Sequence, residues 1–163
     1  MAPAMDYNSR KGLIHICQVV ETIDRPIEEV WTVVSAFGAI KMWIPGIDTC
    51  HIIEDKPQPP EYGAVRAVAN LGMVMEETLE IWDIKGRFIS YRLKDPCPWP
   101  LKGCRGSIRM TAKGKESTEL TWSADAEEIS EEAIKQVTPQ LIPFFQSGIG
   151  ELRRVLVRPA QPY

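Results

Sequence analysis

The segment from Thr118 to Glu127, TELTWSADAE, alternates strictly between apolar and polar side chains, and it constrains the fold more than any other part of the sequence. Successive side chains of a β-strand point to opposite faces of a sheet, so the pattern indicates one covered face and one solvated face. Sheets of this kind are antiparallel, which makes an antiparallel sheet the first expectation for this chain. The covered face is predicted to carry Leu120, Trp122, Ala124 and Ala126, and the solvated face Thr121, Ser123, Asp125 and Glu127.

Six further segments are rich in β-branched and apolar residues and are bounded by turn signals, which predicts six more strands. Gly72 and the pair Lys85-Gly86 interrupt the apolar pattern where tight turns are expected, and the loop 95–100, DPCPWP, is stiffened by proline. The chain is therefore expected to form strands that are joined mostly by hairpins. The six segments are 12–23, 49–53, 63–71, 73–84, 87–94 and 102–112.

Two short helices are predicted between the first and second strands. Pro26 suits the first helical position, and apolar side chains then recur at helical spacing up to Phe37. Residues 39–44 form the second short helix, which a Pro-Gly pair ends.

A long helix is predicted from Ser130 to about Val157, because Ser130 and the two glutamates after it are typical of a helix start. Pro139 and Pro143 lie inside this segment. Each proline removes a backbone donor and clashes with the preceding turn, so a kink or a short break is expected there. The apolar stripe of the helix consists of Ile142, Phe145, Ile149, Leu152 and Leu156.

The chain has 163 residues, which is about the size of one domain. The order of one strand, two short helices, six strands and a long helix indicates an α+β fold. Residues 12–157 are expected to form the domain, between flexible tails at 1–11 and 158–163. A strongly curved sheet around the long helix would bury the helical stripe and leave room for an internal cavity.

Composition argues against several function classes. The net charge of −3 disfavours nucleic acid as a partner, and no apolar run reaches the roughly 20 residues of a membrane span. The N-terminus lacks the pattern of a secretory signal, and the four cysteines form no CxxC pair, which favours a reduced, cytoplasmic protein. The two histidines are not spaced with the cysteines as a zinc site, so no metal and no cofactor is expected, and His15 is interpreted as structural.

Five segments, in their order and spacing, resemble the START-like (SRPBCC) superfamily, which includes polyketide cyclase/dehydrase and lipid-transport proteins. The resemblance covers about residues 12–157 and implies the helix-grip fold, in which a curved seven-stranded antiparallel sheet grips a long C-terminal helix around a largely apolar cavity. It also implies a small hydrophobic ligand, and it leaves open whether the protein is a monomer or a homodimer. The segments are IDRPIEEVWTVVSAFGAIKMWIPGI, GAVRAV, ISYRLKDPCPWPLKGCRGSIRM, ESTELTWSADAE and FFQSGIGELRRVL.

Arg66 is the first candidate for chemistry, because it interrupts the apolar strand segment GAVRAVANL. A buried arginine is costly unless it is paired, so Arg66 either faces solvent or points into the cavity and holds a ligand oxygen. Its position is similar to that of a cavity arginine in the plant lachrymatory-factor synthases of this superfamily, which also stands in a Gly-x-Val-Arg run. That resemblance implies a catalytic role for Arg66.

Three glutamates, Glu76, Glu77 and Glu80, lie on the predicted partner strand. Alternation places Glu76 and Glu80 on one face and Glu77 on the other, and only one face can meet the cavity. The lachrymatory-factor synthases have a catalytic acid on the equivalent strand, which matches Glu80 if one gap is allowed, whereas Glu77 fits the more apolar face. Both remain candidates, with Glu80 slightly preferred, because a carboxylate beside an arginine in a dry cavity could move protons.

Tyr91 is either a core residue with a satisfied hydroxyl group or a hydrogen-bond donor to a ligand oxygen. Asn70 shares the strand face of Arg66 and is a weaker polar candidate. The predicted cavity wall is aromatic and rich in thioethers, which adapt to irregular ligands. Its candidate residues are Trp43, Met42, Met73, Met75, Trp82, Trp99, Met110, Trp122, Phe144, Phe145 and Ile149.

The leading hypothesis is a cofactor-independent cyclase, dehydratase or isomerase that acts on a small apolar, oxygenated molecule. Arg66 would polarise an oxygen, Glu80 or Glu77 would shuttle a proton, and Tyr91 would orient the substrate. The alternative is a non-catalytic carrier with a wholly apolar cavity, and a third hypothesis is a protein-interaction module with a filled cavity and an exposed apolar patch. A hormone receptor is disfavoured, because ANLGM replaces the Ser-Gly-Leu-Pro-Ala gate loop of the related abscisic-acid receptors.

Overall fold

A computed structural model describes residues 3–157 of the chain. Its elements in chain order are β1 (Ile14–Ile23), α1 (Ile27–Val34), β2 (Ile47–Ile52), β3 (Val65–Asn70), β4 (Met73–Asp83), β5 (Phe88–Leu93), β6 (Leu101–Lys102), β7 (Arg105–Gly114), β8 (Ser117–Ala126), β9 (Glu128–Ile129) and α2 (Glu131–Leu156). Seven strands form one antiparallel sheet in the order β1-β8-β7-β5-β4-β3-β2, and β6 pairs with β9 in a second ladder. The predicted α+β class and seven-stranded antiparallel sheet are confirmed.

The strand with the clearest alternation, β8, lies between β1 and β7. Trp122 stands opposite Val19 on one side and Ile108 on the other, and these three residues are buried. Leu120 is also fully buried, whereas Thr121 on the other face is partly exposed. The apolar face of β8 is therefore a centre of the core, as the alternation predicts.

Helix α2 is continuous from Glu131 to Leu156, through both prolines. Of the kink or short break expected at Pro139 and Pro143, the break is therefore absent. The helix begins where Ser130 Oγ accepts a hydrogen bond from the backbone N–H of Ala133 at 3.1 Å, which caps its first turn. The stripe against the sheet is buried from Val137 to Leu156 and includes Leu141, Phe145, Ile149 and Leu152. No helix among residues 3–157 is long and apolar enough to cross a membrane.

The short elements differ from their predicted bounds. Pro26 occupies the N-cap of α1, one position before the predicted place, and the second short helix is a single 3₁₀ turn at Ile40–Met42. The β6–β9 ladder, with Leu101 opposite Ile129, was not predicted. It joins the end of the proline-rich loop 95–100 to the start of α2, at the edge of the cavity described below.

The predicted N-terminal tail is packed against the sheet over the residues that the structure describes. Met5 forms an antiparallel bridge with Ile81 of β4, beyond the point where Val65, the first residue of β3, pairs with Thr78. Arg10 reaches across the sheet and binds Asp125 at 2.8 Å and the Ser90 hydroxyl oxygen at 2.9 Å. The segment expected to be a flexible tail at 1–11 therefore has defined contacts with the sheet through Met5 and Arg10, and the predicted tail 158–163 lies outside the described residues.

Candidate ligand-binding cavity

A cavity of about 570 Å³ lies between the main sheet and α2. Its wall is drawn from β2, β3, β4, β5, β7, β8, the first half of α2, the segment at residues 40–44 and the loop at Pro98–Pro100. The volume is in the range of cavities that hold drug-sized molecules, about 300–1,000 Å³. Most lining side chains are apolar, and the polar ones are Arg66, Asn70, Glu77, Tyr91, Arg105, Gln136 and Gln140, together with the Cys104 thiol.

Arg66 and Glu77 form a buried ion pair in this wall. They stand opposite each other in the β3–β4 register, and Arg66 Nε donates to Glu77 Oε2 at 2.6 Å. Arg66 Nη2 lies 2.6 Å from the same oxygen. The side chains are 3% and 9% exposed, so the pair is largely removed from water. Burying an isolated charge costs much free energy, and the Glu77 carboxylate compensates the buried charge of Arg66.

The guanidinium group of Arg66 is fixed by further contacts. Its Nη1 donates to the backbone oxygen of Phe37 at 2.9 Å. Its Cζ lies 4.2 Å from the ring centroid of Phe37 and 4.7 Å from that of Tyr91. Two aromatic rings and two acceptors therefore hold the cation in one orientation, through cation–π contacts and charge-assisted hydrogen bonds.

One oxygen of Glu77 is left available by this arrangement. Both Arg66 contacts go to Oε2, and no residue among 3–157 donates a hydrogen bond to Oε1. Glu77 also belongs to the cavity wall. A carboxylate oxygen that is held in place, yet bound to no protein donor, can accept a proton or a hydrogen bond from a molecule in the cavity.

Glu80, the slightly preferred candidate acid, does not line the cavity. The β4–β5 register shifts between Leu79 and Ile81, so Glu80 sits in a β-bulge where the alternation is interrupted. Its Oε2 instead accepts a hydrogen bond from Arg105 Nε at 2.9 Å, in a second buried pair. Arg105 is a wall residue whose guanidinium group also contacts Glu127 at 3.0 Å. The preference for Glu80 over Glu77 is therefore not supported by the geometry.

Tyr91 lies in the wall with its hydroxyl group beside Trp122. Trp122 Nε1 is 3.3 Å from the Tyr91 hydroxyl oxygen and donates to it, which leaves the tyrosine proton for a ligand acceptor. Burial is the main cause that raises the pKa of Tyr91, with the nearby Glu77 carboxylate second, so the hydroxyl group stays protonated. Gly106, opposite Tyr91 on β7, makes room for the ring, because an added Cβ would overlap it.

Of the eleven predicted wall residues and the polar candidate Asn70, seven line the cavity and five do not. Met42 is 59% exposed, whereas Trp43, Met110 and Ile149 belong to the core. Trp82 lies against Trp31 of α1, with ring centroids 5.3 Å apart, and donates to the Ser35 backbone oxygen. The seven that line the cavity are Asn70, Met73, Met75, Trp99, Trp122, Phe144 and Phe145.

Several wall residues were missed by the sequence reasoning. Gln136 and Gln140 are solvent-exposed positions of the helix, and they also line the edge of the cavity one turn apart. Cys104 also lines the cavity, and its pKa is raised to about 12, chiefly by burial, so its thiol is not a nucleophile near neutral pH. No group of His, Cys, Asp or Glu side chains among residues 3–157 is arranged to hold a metal ion.

Comparison with known proteins gives one family match. The family described as "polyketide cyclase / dehydrase and lipid transport" matches residues 15–157. No curated protein matches the chain.

Solved structures share the fold at low sequence identity. An uncharacterised protein from Bacillus thuringiensis is 22% identical, with a TM-score of 0.69, over 87% of this chain and 98% of that one. The Zhui aromatase/cyclase from Streptomyces sp. R1128 is 18% identical, with a TM-score of 0.70, over 93% and 99%. Norcoclaurine synthase from Thalictrum flavum, as a point mutant with a transition-state analogue, is 17% identical, with a TM-score of 0.69, over 89% and 96%. At these identities the likeness concerns the fold.

Proposed function

Because the chain belongs to the polyketide cyclase / dehydrase and lipid transport family, we propose that it is a cofactor-independent enzyme for a small, hydrophobic, oxygenated substrate. The reaction would be a cyclisation, dehydration or isomerisation driven by proton transfer inside the cavity. Two of the similar structures, an aromatase/cyclase and norcoclaurine synthase, are enzymes by their names, which is consistent with this class of function. The substrate itself is proposed only as a chemical class.

The buried Arg66–Glu77 pair in the cavity wall is the observation on which the proposal depends. A carrier of hydrophobic molecules gains nothing from two desolvated charges in its binding site, because their burial costs free energy that an apolar pair would not. Desolvated charges beside a ligand are instead typical of sites that polarise oxygens and transfer protons.

The three polar wall residues suggest a division of roles. Glu77 Oε1 would take a proton from a carbon next to a substrate carbonyl group, and the negative charge would move onto the carbonyl oxygen. Tyr91 Oη–H and a free N–H of Arg66 would stabilise that oxygen. Glu77 would then return the proton to a different atom of the substrate. Depending on that atom, the return would complete an isomerisation, or allow loss of water or ring closure.

The proposal can be tested without the natural substrate, through hydrogen exchange of a simple ketone. We would incubate 2-acetonaphthone with the protein in D₂O and follow deuterium uptake at its methyl group by mass spectrometry. The wild-type protein should accelerate uptake, and Glu77→Gln should abolish the acceleration because it removes the proton acceptor. Glu76→Gln is the matched control, since Glu76 lies next in the strand and pairs with Lys94 outside the cavity. Equal rates in wild type and Glu77→Gln would contradict the proposal.

A non-catalytic carrier is the second candidate, and the cavity mouth favours it. Leu71 and Met73 line the mouth and are also 90% and 52% exposed, as expected where an apolar ligand enters and leaves. A carrier would bind 2-ethylnaphthalene, which has no oxygen, as tightly as 2-acetonaphthone. An enzyme of the proposed kind would bind the ketone more tightly, and tryptophan fluorescence quenching would measure both affinities.

A further inference from the structure

Behind the main cavity lies a second, much smaller chamber of about 10 Å³. Its wall includes Arg66, Tyr91 and Trp122, which also line the main cavity, together with Trp43 and Val34. All five residues are at most 8% exposed. The chamber is therefore bounded by buried residues and shares part of its wall with the main cavity.

The Trp43 side chain presents an unsatisfied polar atom in this region. Its Nε1 is buried and has no hydrogen-bond partner among residues 3–157, and the whole residue is 1% exposed. A buried N–H without a partner is destabilising, and such groups in folded proteins are commonly satisfied by an ordered water molecule.

The chamber meets the two conditions for holding one water molecule. The first condition is space, and a chamber of about 10 Å³ has room for a single water molecule. The second is hydrogen bonding, because a buried water needs two to four polar partners. Tyr91 can accept a hydrogen bond through its hydroxyl oxygen, and Arg66 has N–H groups beyond those that bind Glu77 and Phe37. Trp43, Arg66 and Tyr91 all line the chamber, so its wall includes three residues that carry a polar group able to bind a water molecule.

We propose that the chamber is a binding site for one ordered water molecule, which accepts hydrogen bonds from Trp43 Nε1 and Arg66 and donates one to the Tyr91 hydroxyl oxygen. Trp122 Nε1 already donates to that oxygen at 3.3 Å. The water occupies its remaining acceptor site, so the tyrosine proton is directed into the main cavity. Trp43 is in this way a positioning residue that acts on Tyr91 through the water. The existence of the water site does not depend on the proposed function. The contribution of the water to catalysis rests on that function.

The site can be tested by NMR on the full-length protein with ¹⁵N-labelled tryptophan. The indole N–H signal of Trp43, assigned by its loss in Trp43→Phe, should show a cross-peak to a long-lived water molecule. Val34→Ile adds one methyl group to the chamber wall, keeps the indole and should remove that cross-peak. This second variant keeps the test valid if Trp43→Phe does not fold.

Two results would overturn the inference. Absence of a water cross-peak in the wild-type protein would mean that the chamber holds no long-lived water molecule. If the water molecule positions Tyr91, the ratio of 2-acetonaphthone affinity to 2-ethylnaphthalene affinity should fall several-fold in Val34→Ile. An unchanged ratio would contradict this role of the water. If the protein fails to accelerate ketone exchange, the proposed function fails, but the water cross-peak remains a separate readout.

Discussion

Arg66 Nε and Glu77 Oε2 are 2.6 Å apart across neighbouring strands, and both side chains lie in the wall of the same cavity. The pair is held from outside by the Phe37 backbone oxygen, which accepts from Arg66 Nη1 at 2.9 Å. Proposed chemistry and fold stability therefore depend on the same contact, and the two can be separated by experiment.

Removing one partner of this pair should destabilise the fold strongly. Glu77→Met leaves the Arg66 cation buried without a counter-ion, and the expected loss in free energy of unfolding is about 3–5 kcal/mol. The double variant Arg66→Met with Glu77→Met should recover most of that loss, since no unpaired charge remains. Urea denaturation of the wild type and these two variants measures this, and a double variant less stable than Glu77→Met alone would contradict the argument.

The position of Tyr91 should depend on a glycine on the neighbouring strand. Gly106→Ala places a Cβ against the Tyr91 ring, so we expect a loss of about 1–3 kcal/mol in the free energy of unfolding and weaker binding of 2-acetonaphthone. Gly114→Ala is the matched control on the same strand, because its Cβ would meet no atom within 4 Å. Equal effects of the two substitutions on stability would show that the position of Tyr91 does not depend on the absence of a side chain at Gly106.

Stability should fall at high pH because of the cavity thiol. Burial raises the pKa of Cys104 from 9.0 to about 12, so the unfolded chain loses this proton first. The contribution of the protonated Cys104 thiol to the free energy of unfolding is fully present below pH 9. It is lost as pH rises from about 9 to about 12, at about 1.4 kcal/mol per pH unit for one proton. Urea denaturation between pH 8 and 10.5, under reducing conditions, should give a shallower decline for Cys104→Ala than for wild type. Parallel curves would contradict the assignment.

The N-terminal segment should contribute to stability through one arginine. Arg10→Gln removes the contact with Asp125, which is 7% exposed and would keep, among residues 3–157, only His15 as a side-chain partner at 3.0 Å. We expect a loss of about 1–3 kcal/mol. Lys11→Gln changes the neighbouring exposed cation and should alter the thermal midpoint little. A similar small effect of both substitutions would mean that the segment rests on the sheet without stabilising it.

Local patterns in the sequence predicted the sheet and the long helix because their periodicity reflects burial on one face. The same logic singled out Arg66, a charge within an apolar strand. It did not identify Glu77 over the slightly preferred Glu80, because the bulge at Glu80 arises from pairing with β5 and leaves no local signal. The ordered N-terminal segment was missed for a similar reason, since its contacts are with strands about 75 to 115 positions away, as for Tyr7 and Arg10.

The two prolines in α2 have a consequence for how a molecule could reach the cavity. Neither Pro139 nor Pro143 has a backbone N–H, so the carbonyl groups of Lys135 and Pro139 receive no hydrogen bond from four residues ahead. The same turns supply the cavity residues Gln136 and Gln140. The half of the helix that closes the cavity is thus held by fewer backbone hydrogen bonds than the half that packs in the core. Transient opening of the protein should begin in this stretch, and its amide hydrogens should exchange with solvent before those of the later turns.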